Sequence, residues 1–199
     1  AALCERRPWQ AEGMTETPAA AAPVGDDLSL SHALLIDAFD RVAEGVPALL
    51  DGLGGEEILW RPDEDSNSIG WLVWHLARVQ DDHLAGVAGR EQIWTTAGFA
   101  KRFDLPYAAR SIGYGQSSQE VAAFSVADGS LLAAYHAAVH AETVDIVQGL
   151  TAADFARIVD RRWDPPVTAA VRLVSVVNDI TQHAGQAAYL RGLVERRRA

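Results

Sequence analysis

The chain has 199 residues, the size of one domain, and 49% of them are hydrophobic, enough for a substantial core. Its 27 acidic residues outweigh 17 basic ones, and no basic cluster occurs before Arg196-Arg197-Arg198, which argues against a nucleic-acid binder. A single cysteine, Cys4, rules out an internal disulfide framework, and no apolar run reaches the roughly 18 residues of a membrane span, so a reducing, cytoplasmic setting is expected.

Residues 1–25 are expected to be disordered or extraneous. The only methionine, Met14, opens Met-Thr-Glu-Thr-Pro like a natural start, and the Ala-rich stretch at 19–22 is too short for a signal peptide. Residues 26–199 are then the folded domain. Over residues 28–53, Leu30, Leu34, Leu35, Phe39, Val42, Val46, Leu49 and Leu50 recur at helical spacing, and Gly52, Gly54 and Gly55 end this first helix. Residues 61–67 form a loop, with Asn67 or Ser68 as N-cap of a second helix over 69–88 that Gly89 stops. Residues 90–118 make a long connection rich in Gly, Ser and aromatics, which favours a packed functional loop. Ser125-Val126-Ala127-Asp128 has the pattern of a capping box opening a third helix to about Gly149. Residues 151–166 are a connection in which Trp163-Asp164-Pro165-Pro166 bars helix, and a fourth helix follows over 168–196. With no period-2 segment and no hairpin signal, the pattern predicts an all-α four-helix bundle. The loop between helices 2 and 3 is long enough to span the bundle, which points to an up-down-down-up order.

Asp179 and His183 stand four residues apart in Val176-Val177-Asn178-Asp179-Ile180-Thr181-Gln182-His183-Ala184-Gly185-Gln186. On a helix that spacing is about 40° of rotation and about 6 Å of rise, so both side chains leave one face. His75 lies in the apolar run Trp71-Leu72-Val73-Trp74-His75-Leu76. A carboxylate and an imidazole on one helix, with an imidazole from a facing helix, make three ligands for a divalent metal. A fourth position stays open to water or substrate, as in catalytic sites. The ordinary readings are a hydrogen-bonded core histidine for His75 and a solvated i,i+4 pair for Asp179/His183. Against the second stand Val176, Val177, Ile180 and Ala184, among which an unpaired carboxylate is costly. His136/His140, also i,i+4, is a rival metal pair on the third helix. His83 lies about 80° round the second helix from His75, poorly placed to join it, and Asp82 shares its face but lies about 10 Å along the axis. His32 is expected at the surface. No nucleophile elbow is present, and Cys4 lies in the excluded segment.

The segments Asn67-Ser68-Ile69-Gly70-Trp71-Leu72-Val73-Trp74-His75-Leu76 and Asp179-Ile180-Thr181-Gln182-His183-Ala184-Gly185-Gln186-Ala187-Ala188-Tyr189-Leu190-Arg191-Gly192 resemble the DinB-like (YfiT-like) superfamily. More narrowly, they resemble its actinobacterial branch of thiol transferases that use mycothiol. The resemblance runs from about residue 30 to 195 and includes Gly113-Tyr114-Gly115-Gln116. Abundant alanine and a basic set with Lys101 as its only lysine agree with a GC-rich genome of the actinobacterial kind. The resemblance implies a metal triad of one histidine from the second helix and an i,i+4 pair on the fourth, carried over to His75, Asp179 and His183. Many relatives have His or Glu where this chain has Asp179. It further implies a divalent metal ion, zinc first with nickel or another as alternatives, and mycothiol as co-substrate. The implied activity is a thiol S-transferase, or an isomerase of a maleyl-type substrate, acting on a small electrophile. His136 and His140 then become cavity or packing residues. A non-catalytic stress-response bundle that holds metal or sequesters a ligand is the other class left open.

For the substrate, loop 90–118 is expected to cover the open side of the metal. Trp94, Phe99, Phe103, Tyr107 and Tyr114 would be apolar walls, with Arg102 or Arg110 available to an anionic group and Arg78 as a further cation. The alternative is that these aromatics only anchor the loop. Gln186 is placed to hydrogen-bond a ligand or bound water. The expected partners are the small substrate and the thiol, with no nucleic acid and no membrane, and a homodimer is compatible with the chain.

Overall fold

A computed structural model of the protein describes residues 28–198. The expectations for residues 1–25, Met14 and Cys4 included, lie outside the described residues.

The apolar repeat of the first helix forms α1 (Ser29–Leu50), which buries Phe39, Val42, Val46, Leu49 and Leu50. Gly52, at φ 68°, turns the chain out of it into the short α2 (Gly55–Leu59). Next comes α3 (Ile69–Ala88). The Ser68 hydroxyl accepts from Trp71 N at 3.2 Å to start it, and the left-handed Gly89 ends it. Apolar on nearly every side, α3 is the most buried element of the bundle. The long connection is not featureless: it folds into α4 (Ile93–Thr96) and α5 (Phe99–Phe103), and α6 (Ser118–Ala122) begins at its end.

The third long helix, α7 (Gly129–Gly149), starts later than the Ser125 pattern suggested. Its N-cap is Asp128, whose carboxylate accepts from Ser130 N at 2.8 Å. A Cβ on Gly129 would lie 3.0 Å from Leu50 Cβ, so a glycine lets this turn rest against α1. The connection 151–166 holds α8 (Ala152–Ala156) and β1 (Ile158–Asp160), and β2 (Val167–Thr168) follows, pairing antiparallel with β1 through Ile158↔Thr168 and Asp160↔Val167. This small sheet is a minor addition to an all-α bundle, and strands of three and two residues are too short to carry an alternation signal. The last helix is α9 (Ala169–Arg198).

The four long helices close a ring in which α3 packs chiefly on α9 and α7, and α1 packs on the same two. Their directions follow from the bonds at their ends. His32 Nε2 meets Leu150 O at 2.9 Å, so α1 and α7 are antiparallel. Arg191 and Arg198 reach the carbonyls of Asp51 and Gly52 at 2.7 and 2.8 Å, so α1 and α9 are parallel. His75 faces His183 and Val87 O accepts from Arg157, so α3 opposes α9. The order is up-down-down-up. No helix among the described residues is long and apolar enough to cross a membrane.

Candidate metal centre

Where α3 crosses α9, His75 meets the i,i+4 pair of the last helix. One ligand atom from each of His75, Asp179 and His183 lies within 4.8 Å of the others. The two imidazoles stand edge to face, with centroids 4.7 Å apart, and His183 Nε2 is 3.7 Å from Asp179 Oδ1. Leu72 and Leu76 on α3, and Val176 and Ile180 on α9, are buried near them in the chain.

The protonation of His75 follows from its partner. Its Nδ1 hydrogen-bonds the carbonyl of Ile112, and a carbonyl can only accept, so Nδ1 carries the proton and Nε2 keeps its lone pair. Burial holds the His75 pKa below the ordinary histidine value, with His183 adding to the fall and the Ile112 bond and Asp179 opposing it. A neutral imidazole is what a metal ligand requires. The ring stacks on Trp71 at 4.7 Å, and Trp71 Nε1 donates to Gln116 Oε1 at 2.8 Å. Between them lies Gly113 at φ 91°, where a Cβ would sit 2.7 Å from His75 Nδ1 and 3.0 Å from Trp71. The segment Gly113-Tyr114-Gly115-Gln116 is therefore a clamp that closes on the back of His75, and only glycine fits it.

On α9, His183 Nδ1 donates to Gln186 Oε1 at 2.9 Å, which leaves Nε2 free on the side of the triad. Asp179 Oδ2 is shielded from solvent and has no hydrogen-bond partner, although the side chain as a whole is 38% exposed. A buried carboxylate oxygen without a donor is costly, and two imidazole lone pairs beside it donate nothing. The donor set, two neutral nitrogens and one anionic oxygen, suits zinc and related divalent ions, and the orphaned oxygen fits a bound cation.

The other expected residues divide. Trp94, Phe99 and Phe103 are buried and pack around Tyr135 with centroids 4.9–5.9 Å away. Tyr107 packs on Trp74 and donates to Glu120 O at 2.6 Å, and Arg102 lies over the Phe99 ring. These five anchor the loop. Arg78 is fully buried: its guanidinium donates to Ser111 O, Gln92 Oε1 and the Tyr135 hydroxyl at 3.1, 2.8 and 3.2 Å. Asp81, which sequence reasoning overlooked, caps α4 by accepting from Ile93 N and Trp94 N at 2.9 and 2.7 Å. Arg78 and Asp81 thus pin loop 90–118 to the bundle from inside. The hydrophobic run through α3 concealed them, since neither spacing nor composition marks a buried polar hub.

Beside the triad opens a cleft of about 990 Å³. Tyr114 and Arg110 line it, as do His83, Ile112, Trp163 and Arg172. Ile112 belongs to both places, because its carbonyl holds His75. His83 also feels Asp179, although burial is the main reason its pKa is lowered. The sequence pattern places His83 poorly for the site and marks residues 151–166 only as a connection, barred from helix at Trp163-Asp164-Pro165-Pro166. One signal was available: Arg172 is seven residues before Asp179, which puts both on one face of α9. A second groove of about 800 Å³ runs past Gln182, Gln186 and Tyr189 on the other flank of α9.

His136 and His140 lie apart from this site, on α7 against α1. Their rings are 6.4 Å apart, and His140 Nε2 is taken by Asp40 Oδ1 at 2.9 Å.

The family model of the DinB superfamily matches residues 38–187. No curated protein matches the chain. Among solved structures, one described as the conserved protein of locus from Enterococcus faecalis is similar, at 30% identity and a TM-score of 0.77, covering 81% of this chain and 95% of that one.

Proposed function

The chain belongs to the DinB superfamily, and from that premise we propose that His75, Asp179 and His183 hold a single divalent metal ion. Zinc stands first, with nickel or another divalent ion as alternatives. The proposed activity is that of a transferase, or in second place an isomerase, using a low-molecular-weight thiol of the mycothiol type on a small electrophilic substrate.

The observation that carries the reading is the buried, partnerless Asp179 Oδ2 beside two imidazoles whose Nε2 lone pairs are uncommitted. A divalent ion there supplies Lewis acidity and favours the deprotonated, nucleophilic form of a thiol. The chain's own residues do the rest. Ile112 and Trp71 fix His75, Gln186 orients His183, and the apolar side chains of Leu72, Leu76 and Ile180 exclude water from the inner face. Among the described residues the group has three members, which leaves coordination room for a substrate. The only cysteine, Cys4, lies outside the described residues, and the sulfur is assigned to the co-substrate.

Elemental analysis of the purified protein is expected to find about one divalent ion per chain, lost in His183→Ala and kept in His136→Ala. The reverse pattern would move the site to α7 and overturn the assignment. The loaded protein should then accelerate conjugation of mycothiol to an electrophile such as monobromobimane. Stoichiometric metal with no consumption of thiol across a panel of electrophiles would favour the non-catalytic reading instead.

A further inference from the structure

The protein carries a formal net charge of −10, yet one wall of the cleft beside the triad is cationic. Asp160, at the end of β1, is the hub of that wall. Its Oδ1 accepts from the backbone N–H and Nε of Arg162 at 2.9 and 3.1 Å. Its Oδ2 accepts from Nη2 of both Arg162 and Arg172 at 2.9 Å. Arg162 and Arg172 hold the Asp160 carboxyl well below the usual carboxylate range, and two guanidiniums on one carboxylate leave a positive charge uncompensated. Tying β1 to α9 requires only Arg172, whose side chain is 17% exposed, whereas that of Arg162 is 87% exposed and adds little to packing. Arg110 lines the same cleft, is exposed, and makes no hydrogen bond or ion pair among the described residues. The other acid in the lining, Asp82, accepts from the neutral Gln92 Nε2 at 2.7 Å and keeps its charge, so three arginines stand against two carboxylates around the cleft.

Two large aromatics border these charges. Trp163 is 64% exposed and Tyr114 90% exposed, and both line the cleft. A wide-open indole next to guanidiniums offers a flat apolar surface for a planar group and charged donors for an acidic one.

We infer that this cleft binds a planar organic anion: a carboxylate or comparable acidic group on a flat unsaturated frame. The acidic group lies among Arg162, Arg172 and Arg110, and the frame lies against Trp163. That this anion is the electrophile of the reaction rests on the proposed function; its binding rests on the arginines and the indole alone.

The test is calorimetric titration of the full-length protein with phthalate and, separately, with its uncharged dimethyl ester. Phthalate is expected to bind saturably, the ester about 10-fold more weakly or worse, and added salt to weaken phthalate only. Arg162→Gln and Arg172→Gln should each reduce phthalate affinity by about 10-fold, and Trp163→Ala by a few-fold, with metal content and helicity unchanged. Arg162 is exposed enough that its variant keeps the test open if Arg172→Gln fails to fold. Equal binding of the ester, no saturable binding of phthalate, or full affinity in both arginine variants overturns the inference. In His183→Ala, phthalate affinity within about twofold of the parent supports an arginine site independent of metal. Its loss there overturns that site, while the metal reading itself is judged separately by elemental analysis.

Discussion

On α9, Asp179 and His183 look across to His75; on α7, His140, one turn after His136, looks across to Asp40. Both pairs have i,i+4 spacing, and both contain buried ring or carboxylate atoms without hydrogen-bond partners: Asp179 Oδ2 on one side, His136 Nε2 and His140 Nδ1 on the other. The difference lies in what the facing helix contributes. From α3, His75 offers a lone pair, because the Ile112 carbonyl has claimed its proton. From α1, Asp40 accepts from His140 Nε2 and leaves Nδ1 unpartnered, but no third ligating group converges on His136 and His140 among the described residues, and His136 stays sealed at 2% exposure. Burial, with help from His140, lowers the His136 pKa to about 4, so it is a neutral core group at physiological pH. Two ligating residues one turn apart become a candidate site only when a third group converges on them with its lone pair free.

The largest effect that would separate the two pairs is metal-linked stability. With free zinc at about 1,000 times its dissociation constant, the folded state should gain about 4 kcal/mol, and a chelator should remove it. Denaturant unfolding with and without chelator should show that gain in the parent and in His136→Ala but not in His183→Ala. If His136→Ala alone lost it, the comparison would be inverted.

Next in size is a pH effect belonging to the α7 pair. A histidine whose folded pKa lies below its unfolded value binds more protons when unfolded. Its contribution is therefore complete above about pH 6.5 and is lost as pH falls toward 4. A drop from 6.5 to about 4 is worth about 3 kcal/mol at 1.36 kcal/mol per unit. Unfolding free energies of metal-free protein at pH 7 and pH 4 should fall by about that much more in the parent than in His136→Leu. Parallel slopes in the two proteins would mean that His136 is not held neutral by the fold.

The smallest expected effect tests the orienting bond on α9. Gln186→Ala should weaken metal affinity by about 10- to 100-fold, or about 1.4–2.7 kcal/mol, with little change in unfolding of the metal-free protein. Competition against a chromogenic chelator measures it. An unchanged affinity would show that His183 is already oriented by α9 itself.

Much of this was legible in the chain. Periodicity and glycine placement marked the four long helices, with Gly89 ending α3 where expected, because these signals act between residues a few positions apart. The spacing of Asp179 and His183 and the apolar run around His75 were legible for the same reason. The Ser125 pattern misplaced the start of α7, since a capping box and a lone Asp128 cap look alike until Gly129 is seen resting against Leu50. The aromatics of loop 90–118 suggested substrate walls, but most anchor the loop on Tyr135 and Trp74. Composition cannot separate a ligand wall from an anchor.

The sequence by itself determined the helices, their apolar faces and which titratable groups share a turn, since all of these follow from a 3.6-residue repeat. Only the tertiary structure decided that α3 and α9 run in opposite directions with His75 level with His183, and that the Ile112 carbonyl reaches back to set the tautomer of His75. It alone brought Arg162, Trp163 and Arg172 to the mouth of the same cleft as Arg110. These meetings join residues from 37 to over 100 positions apart, and no local periodicity encodes them; they arise when four amphipathic helices bury their apolar faces in one packing arrangement.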